Sequence, residues 1–194
     1  MSLYNADYWD DRYRHNTTTW DLGQIAPAIL GYFQQLDDKN ISILIPGCGN
    51  SYEAAWLLDN GFRHITLIDI AAGLMDRLRE KFHAGPDPRL TLLTGDFFEH
   101  EGQYDLIIEQ TFFCSLDPAL RESYMEKMYQ LLRPGGKLAG LLFDRTFNEG
   151  PPFGGSQSAY QTLLEKKFRI RTMAPCYNSV KPRAGTELFF IAIK

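Results

Sequence analysis

A glycine turn and an acidic residue stand at a spacing that suits the binding of a nucleoside. The turn is Gly47-Cys48-Gly49 after one apolar run, and Asp69 ends the next run, 22 residues after Gly47. Glycine lets the backbone approach a ligand, and the N–H groups of a following helix point toward it. An aspartate about 20 residues further on can accept both hydroxyls of a ribose. Tight turns also use glycine for steric reasons, and Asp69 could be a helix cap, but the combination favours a nucleoside.

The residue three positions after the turn indicates which kind of nucleoside binds. A dinucleotide site has a third glycine three residues on, for close helix packing, and that position is Tyr52. Cofactors derived from methionine carry no pyrophosphate, so we expect S-adenosylmethionine rather than NAD. Asp96 lies where the third apolar run ends, and it is placed to accept a hydrogen bond from an adenine amino group. The alternative is that it is only a turn residue. Phe97 beside it, and Glu109 at the end of the fourth run, are assigned to the same cofactor site.

Short apolar runs alternate with helical patterns along the chain, which is typical of βαβ units. Strands are predicted at 41–45, 65–68, 90–93, 106–108, 138–143, 168–173 and 188–193. Helices are predicted from about 51 to 61, around 74–82, from 117 to 132 and from 156 to 167. The predicted fold is a single α/β domain, 1–194, with a Rossmann-like, seven-stranded, mostly parallel sheet and helices on both faces. Residues 1–36 are predicted to form an N-terminal lid and helix.

The last two strands differ in pattern. The stretch 168–173 alternates apolar and polar residues, as a half-exposed edge strand does, whereas 188–193 is continuously apolar. The final strand is therefore expected to lie antiparallel inside the sheet, between the fifth and sixth strands.

Several motifs resemble those of one group of enzymes. Arg133-Pro134-Gly135-Gly136-Lys137 resembles the stretch found before the fifth strand in class I methyltransferases. Tyr8-Trp9, with the segment 19–23, resembles the tryptophan-bearing lid of the thiopurine S-methyltransferase superfamily. The segments 45–49, 111–114 and 150–153 resemble its halide/thiol methyltransferase branch. The resemblance runs from about Tyr8 to the C-terminus, and 181–194 departs from the ending of the plant halide enzymes.

This resemblance implies methyl transfer from S-adenosylmethionine to a small soft nucleophile, such as a thiol, thiocyanate, a halide or a thiopurine-like sulfur. Thiolates and halides need little or no deprotonation before they attack. Their alignment in a dry site is therefore enough for methyl transfer, and no catalytic residue is assigned. Trp20 is expected to close over the cofactor, with its ring face toward the sulfonium. Six residues are candidates for binding the acceptor, although loop packing or solvation could explain each: Trp9, Phe112, Phe113, Arg145, Phe153 and Tyr177.

Composition excludes several other classes of partner. The formal net charge is −4 and the pI about 5.6, so nucleic acid is not expected. The three cysteines lie far apart and the histidines, His83 among them, form no pair at helical spacing, so neither a disulfide framework nor a metal site is predicted. No apolar run could span a bilayer. We expect a cytoplasmic monomer whose partner is a small methyl acceptor.

Other functions remain open on the sequence. They are a methyltransferase acting on another small molecule or a metalloid such as tellurite, an NAD-dependent oxidoreductase, and a catalytically silent nucleoside-binding module. A macromolecular N-methyltransferase would often carry Asn/Asp-Pro-Pro-aromatic after the fourth strand, where this chain has Glu109-Gln110-Thr111-Phe112.

Overall fold

The computed structural model describes residues 4–82 and 87–194; His83, and the first three residues of the predicted lid, lie outside them. The helices are α1 (Ala6–Arg14), α2 (Pro27–Phe33), α3 (Tyr52–Asp59), α4 (Ala72–Phe82), α5 (Arg121–Leu131) and α6 (Gln157–Leu164). The strands are β1 (Ser42–Pro46), β2 (His64–Asp69), β3 (Leu90–Thr94), β4 (Tyr104–Gln110), β5 (Leu132–Phe143), β6 (Arg169–Pro175) and β7 (Glu187–Ile193).

The seven strands form one sheet in the order β3-β2-β1-β4-β5-β7-β6. The first five strands pair in parallel, and β7 pairs antiparallel with both β5 and β6. This confirms the predicted fold class and the insertion of the last strand. The burial patterns give the reason: β6 is largely exposed, as an edge strand is, while β7 is buried or half-buried throughout.

Alternate residues of the strands supply two cores, one on each face of the sheet. In β1, Ile43 and Ile45 belong to the core covered by α2, α3 and α4, whereas Leu44 faces the core covered by α5 and α6. Helices therefore cover both faces, which leaves the edge where β1–β4 end open for a ligand.

The helix boundaries follow local capping. Asp117 accepts from Ala119 N at 2.8 Å and starts a short 3₁₀ turn, Pro118–Leu120, that leads into α5. The helix predicted from 117 thus begins with this turn. The fifth strand starts at Leu132, six residues before its predicted start, because the chain is already extended at Leu132 (ψ 141°) and that residue pairs with Tyr104.

Candidate active site

One cavity of about 610 Å³ lies over the carboxyl ends of the central strands. Its walls come from the N-terminal segment, the turn after β1, the ends of β2–β5 and the loop between β6 and β7. Strand ends and the loops that follow them meet at this edge in open α/β sheets. Among the described residues, no group of three or more His, Cys, Asp or Glu side chains could hold a metal ion. Nor does any helix of the described chain have the length and apolar character to cross a membrane.

The glycine turn has the backbone that the sequence predicts, for two reasons. Gly47 and Gly49 have φ angles of 56° and 52°, a region that side chains disfavour. In addition, a Cβ on Gly47 would lie 2.3 Å from Cδ2 of Phe112. A glycine is therefore needed at 47 to admit the Phe112 ring as well as a ligand. Cys48 between them is buried, with its Sγ 3.8 Å from Met75 Sδ.

Asp69 ends β2 at the cavity wall and is 8% exposed. Its Oδ1 accepts from Ala71 N at 3.0 Å, and its Oδ2 accepts from Gly49 N at 3.3 Å. The carboxylate thus connects the glycine turn to the start of α4. Burial raises its pKa to about 6, against an ordinary value of 3.8, and the backbone N–H groups offset only part of that effect. A ligand that donates hydrogen bonds to Asp69 would stabilise its charged form.

The start of α3 brings a polar cluster to the cavity that the sequence did not single out. Asp21 accepts from Asn50 Nδ2 and, at 3.3 Å, from the Tyr52 hydroxyl. Burial raises the pKa of Glu53 to about 7. Ser51 is 1% exposed, has a φ of 50°, and its Oγ has no hydrogen-bond partner among the described residues. In the sequence, the residues of this cluster were marked only by their positions just after the glycine turn or, for Asp21, just after Trp20.

The ends of β3 and β4 place their predicted cofactor residues differently. Asp96 lines the cavity, and its Oδ1 accepts from Phe98 N at 2.8 Å, so it also has the capping role of a turn residue. Phe97 lines the cavity and packs edge-on against Phe112, with ring centroids 5.1 Å apart.

Glu109, predicted to contact the cofactor, is not among the side chains that line the cavity. It is fully buried; its Oε1 accepts from Phe112 N and Phe113 N at 2.8 Å each, and its Oε2 accepts from the Tyr124 hydroxyl at 2.5 Å. Burial raises its pKa to about 7. Both oxygens therefore hold the loop after β4 in place from beneath.

The N-terminal segment covers the cavity, and both of its predicted tryptophans line it. The Trp9 and Trp20 rings meet edge to face with centroids 5.5 Å apart. Asp10 Oδ1 accepts from Gly73 N at 2.9 Å, which attaches α1 to the start of α4. At the other end, the Tyr4 hydroxyl donates to Gly150 O at 3.3 Å. The segment is thus attached both to the start of α4 and to the loop after β5.

Two predicted acceptor residues, Phe112 and Arg145, line the cavity on the β4–β5 side. Arg145 is exposed, with its Cζ 4.7 Å from the centroid of the Phe147 ring. The Phe147 and Phe143 rings, which the sequence did not single out, meet edge to face 5.1 Å apart and line the same side.

Three other predicted acceptor residues are not among the side chains that line the cavity, and their assignment stays a prediction. Phe113 is 1% exposed in the core, with its ring centroid 4.9 Å from that of Tyr124, and its N–H donates to Glu109. Phe153 packs on Tyr4, with centroids 5.8 Å apart. Tyr177 is 96% exposed because its neighbour Cys176 occupies the buried position.

A buried cation that the sequence analysis did not identify also borders the cavity. Arg183, in the loop before β7, is 8% exposed and lines the cavity. It donates to Trp20 O at 2.6 Å and pairs with Glu187 at 3.2 Å, and its Cζ lies 5.2 Å from the centroid of the Phe143 ring. No sequence pattern pointed to it, because its partners lie far away along the chain or carry no motif.

Comparisons with known proteins agree with this architecture. Residues 4–187 match the family model described as Thiopurine S-methyltransferase (TPMT). The chain is 32% identical to "Probable thiol methyltransferase 2" of Arabidopsis thaliana over 96% of this chain and 84% of that protein. It is 26% identical to "Thiocyanate methyltransferase 1" of Brassica oleracea, over 92% and 81% respectively.

A solved structure shares the fold. It is the 1,6-didemethyltoxoflavin-N1-methyltransferase of Burkholderia thailandensis, solved with bound 1,6-didemethyltoxoflavin and S-adenosylhomocysteine. The TM-score is 0.77 at 19% identity, and the match covers 97% of this chain and 86% of the other.

Proposed function

The chain belongs to the thiopurine S-methyltransferase family, and on that premise we propose that it methylates a small soft nucleophile: a thiol, thiocyanate, a halide or a thiopurine-like sulfur. It is an S-adenosylmethionine-dependent methyltransferase with the class I fold. The relatives named for thiols and thiocyanate support the class of acceptor.

The residues of the cavity fit the cofactor. Asp69 is a buried acceptor for ribose hydroxyls, and Asp96 stands one strand further out, where an adenine amino group would lie. The buried Ser51 Oγ, which has no partner among the described residues, suits a polar group at the cofactor's aminoacyl end. Trp20 would cover the cofactor from the N-terminal segment. When bound, S-adenosylmethionine supplies a methyl group activated on a sulfonium.

The observation that carries the proposal is the buried Arg183 beside aromatic rings at the far end of the cavity. Its contacts with Glu187 and Trp20 O involve two of the five N–H groups of a guanidinium. A guanidinium that borders the cavity beside aromatic rings favours an anionic acceptor, because a low dielectric strengthens a charge-assisted hydrogen bond. Phe143 and Phe147 supply the polarisable walls.

The chain itself needs only to align the acceptor and to exclude water. The N-terminal segment closes one side of the cavity and Arg183 orients the acceptor, while the rings keep the space dry. A thiolate or a halide is already nucleophilic, so a general base is not required for this chemistry.

Methyl transfer from S-adenosylmethionine should be measured side by side with a small thiol, thiocyanate, iodide and a thiopurine. We expect transfer to at least one small acceptor and none to RNA, DNA or peptides. Activity on a macromolecule that exceeds activity on every small acceptor would overturn the proposal.

A double variant, Arg183→Met with Glu187→Gln, removes the cation without leaving an unpaired buried carboxylate. It should lower kcat/KM for thiocyanate and iodide by about 10- to 150-fold, the range of one hydrogen bond to a charged group. Arg169→Met, on the exposed start of β6, is the control and should change nothing. Full activity on both anions in the double variant would remove Arg183 from the site.

A further inference from the structure

Gln110, the last residue of β4, carries an unsatisfied oxygen in the cavity wall. Its Oε1 is buried and has no hydrogen-bond partner among the described residues. A buried acceptor left without a donor is costly, and native proteins contain few of them. A donor on a ligand in the cavity would satisfy this oxygen once the side-chain amide rotates toward it.

The order of the strands shows whether Gln110 lies nearer to the cofactor or to the methyl acceptor. Asp69 ends β2 and Asp96 follows β3, whereas Gln110 ends β4, on the other side of β1. Neighbouring strands are about 4.8 Å apart, so Gln110 stands roughly 10 Å from the end of β2 and roughly 14 Å from that of β3. It lies instead beside β5, whose end carries the Phe143 ring. This is the acceptor side of the cavity.

The surroundings of Gln110 hold its backbone in place. Thr111 has a φ of 59°, unusual for a residue with a branched side chain, and its Oγ1 donates to Gln110 O at 2.7 Å. On the other side, Glu109 binds the N–H groups of the next two loop residues. A position held from both sides suits a group that must meet a small ligand.

We propose that Gln110 Oε1 accepts a hydrogen bond from the methyl acceptor and so selects acceptors that carry a hydrogen on their nucleophilic atom. A thiol, whose ordinary pKa is about 8.5, enters the cavity largely protonated and can donate its S–H. As the neutral sulfur takes the methyl group, its S–H becomes more acidic, so the hydrogen bond to Gln110 persists into the transition state and the proton then passes to water. Thiocyanate and iodide carry no such hydrogen. Gln110 would thus favour thiols, while Arg183 favours bare anions. This inference rests on the proposed function.

The test is Gln110→Met, which keeps the size of the side chain and removes the amide oxygen. We expect kcat/KM for a small alkanethiol to fall about three- to tenfold, the range of an ordinary hydrogen bond. The values for thiocyanate and iodide should stay within about twofold of wild type. Gln161→Met, exposed on α6, is the matched control.

A binding measurement separates the acceptor from the cofactor. By calorimetry, the affinity for S-adenosylhomocysteine should be unchanged in Gln110→Met. The affinity of the thiol for the protein–S-adenosylhomocysteine complex should fall by the same factor as kcat/KM. Gln110→Leu repeats the measurement should the methionine variant unfold at a lower temperature.

Three results would overturn the inference. An equal loss for every acceptor, or a weaker affinity for S-adenosylhomocysteine, would show that the oxygen serves the cofactor. A loss confined to the anions would show that the amide N–H groups face the ligand. An unchanged thiol rate would show that the oxygen meets no acceptor. A wild-type protein inactive on thiol, thiocyanate and iodide alike would instead refute the proposed function, and this inference with it.

Discussion

Replacing Asp69 by asparagine tests whether this carboxylate holds the cofactor's ribose. The substitution keeps the shape of the side chain but leaves only one oxygen, whereas Asp69 accepts from both Ala71 N and Gly49 N. The variant therefore removes the charge at the end of β2 with little change in packing. We expect it to weaken S-adenosylhomocysteine binding much more than it changes stability.

The expected loss of affinity follows from the kind of hydrogen bond. A hydrogen bond to a charged group contributes about 1.5–3 kcal/mol, so the Kd should rise about 10- to 150-fold. Stability should change less, because two effects of Asp69→Asn oppose each other. Folding raises the pKa of this carboxylate from 3.8 to about 6, so above pH 6 its replacement by a neutral group raises the free energy of unfolding by about 3 kcal/mol. In the variant, one of the two backbone N–H groups faces the N–H of the side-chain amide instead of an oxygen. The loss of this hydrogen bond lowers the free energy of unfolding by about 1–3 kcal/mol. Tm should therefore stay within about 8 °C of wild type.

The pH dependence gives a second signature of the same residue. Ribose hydroxyls donate to the charged carboxylate, so a protonated Asp69 must lose its proton before the cofactor binds. With a pKa of about 6, wild-type affinity should fall about tenfold between pH 7 and pH 5. Asp69→Asn should lose this part of the dependence. Titration calorimetry at several pH values measures both effects, with Asp76→Asn, exposed on α4, as the control.

Two outcomes would refute the reasoning. An unchanged Kd, with the same pH profile in Asp69→Asn as in wild type, would show that another residue holds the ribose. A fall in Tm of more than about 15 °C, several kcal/mol for a chain of this size, would show that Asp69 mainly holds the glycine turn and α4 together.

Three further results are expected. S-adenosylhomocysteine at about 100 times its Kd should raise Tm by roughly 5–11 °C in a thermal shift assay, because binding stabilises the fold by about 2.7 kcal/mol, whereas a shift with NAD alone would contradict the cofactor assignment. Without ligand, Tm should fall as pH rises from about 4 to about 7, since burial raises the pKa values of Asp69, Glu53 and Glu109 and the folded state binds the extra protons; a Tm that rises across this range in calorimetric scans would argue against it. Phe147→Ala should lower kcat/KM for the methyl acceptor more than Phe153→Ala does, because only Phe147 lines the cavity, and the reverse order in steady-state kinetics would place Phe153 in the site.

The fold could be predicted because each element carries its own pattern. Alternation in 168–173 and continuous apolar character in 188–193 reflect directly how many faces of a strand are covered, and the structure has β6 at the edge with β7 beside it. The start of β5 could not be read in the same way. Proline and glycines at 134–136 indicate a turn, yet the pairing of Leu132 with Tyr104 extends the strand back to the end of α5.

The meeting of three predicted cofactor residues at one cavity was predictable from the same regularity. Parallel strands end at one edge, so Gly47, Asp69 and Asp96 had to come together whatever the details of the loops, and all three line the cavity. Glu109 shows the limit of that rule. Successive residues of a strand face opposite sides, so one step along β4 separates a carboxylate buried in the core from Gln110 in the cavity wall.

The acceptor side depends on how loops meet, which no local pattern records. Phe112 and Phe113 are adjacent and chemically alike, and both N–H groups donate to Glu109, yet only Phe112 lines the cavity while Phe113 is buried in the core. Arg183 enters the site because its loop lies against Trp20, 163 positions earlier in the chain. On the proposed function, the motifs mark the cofactor end of the cavity, while side chains that no motif marks, Gln110 and Arg183, select the acceptor. Changes at these two positions should alter which nucleophile is methylated while the nucleoside contacts at Asp69 stay as they are.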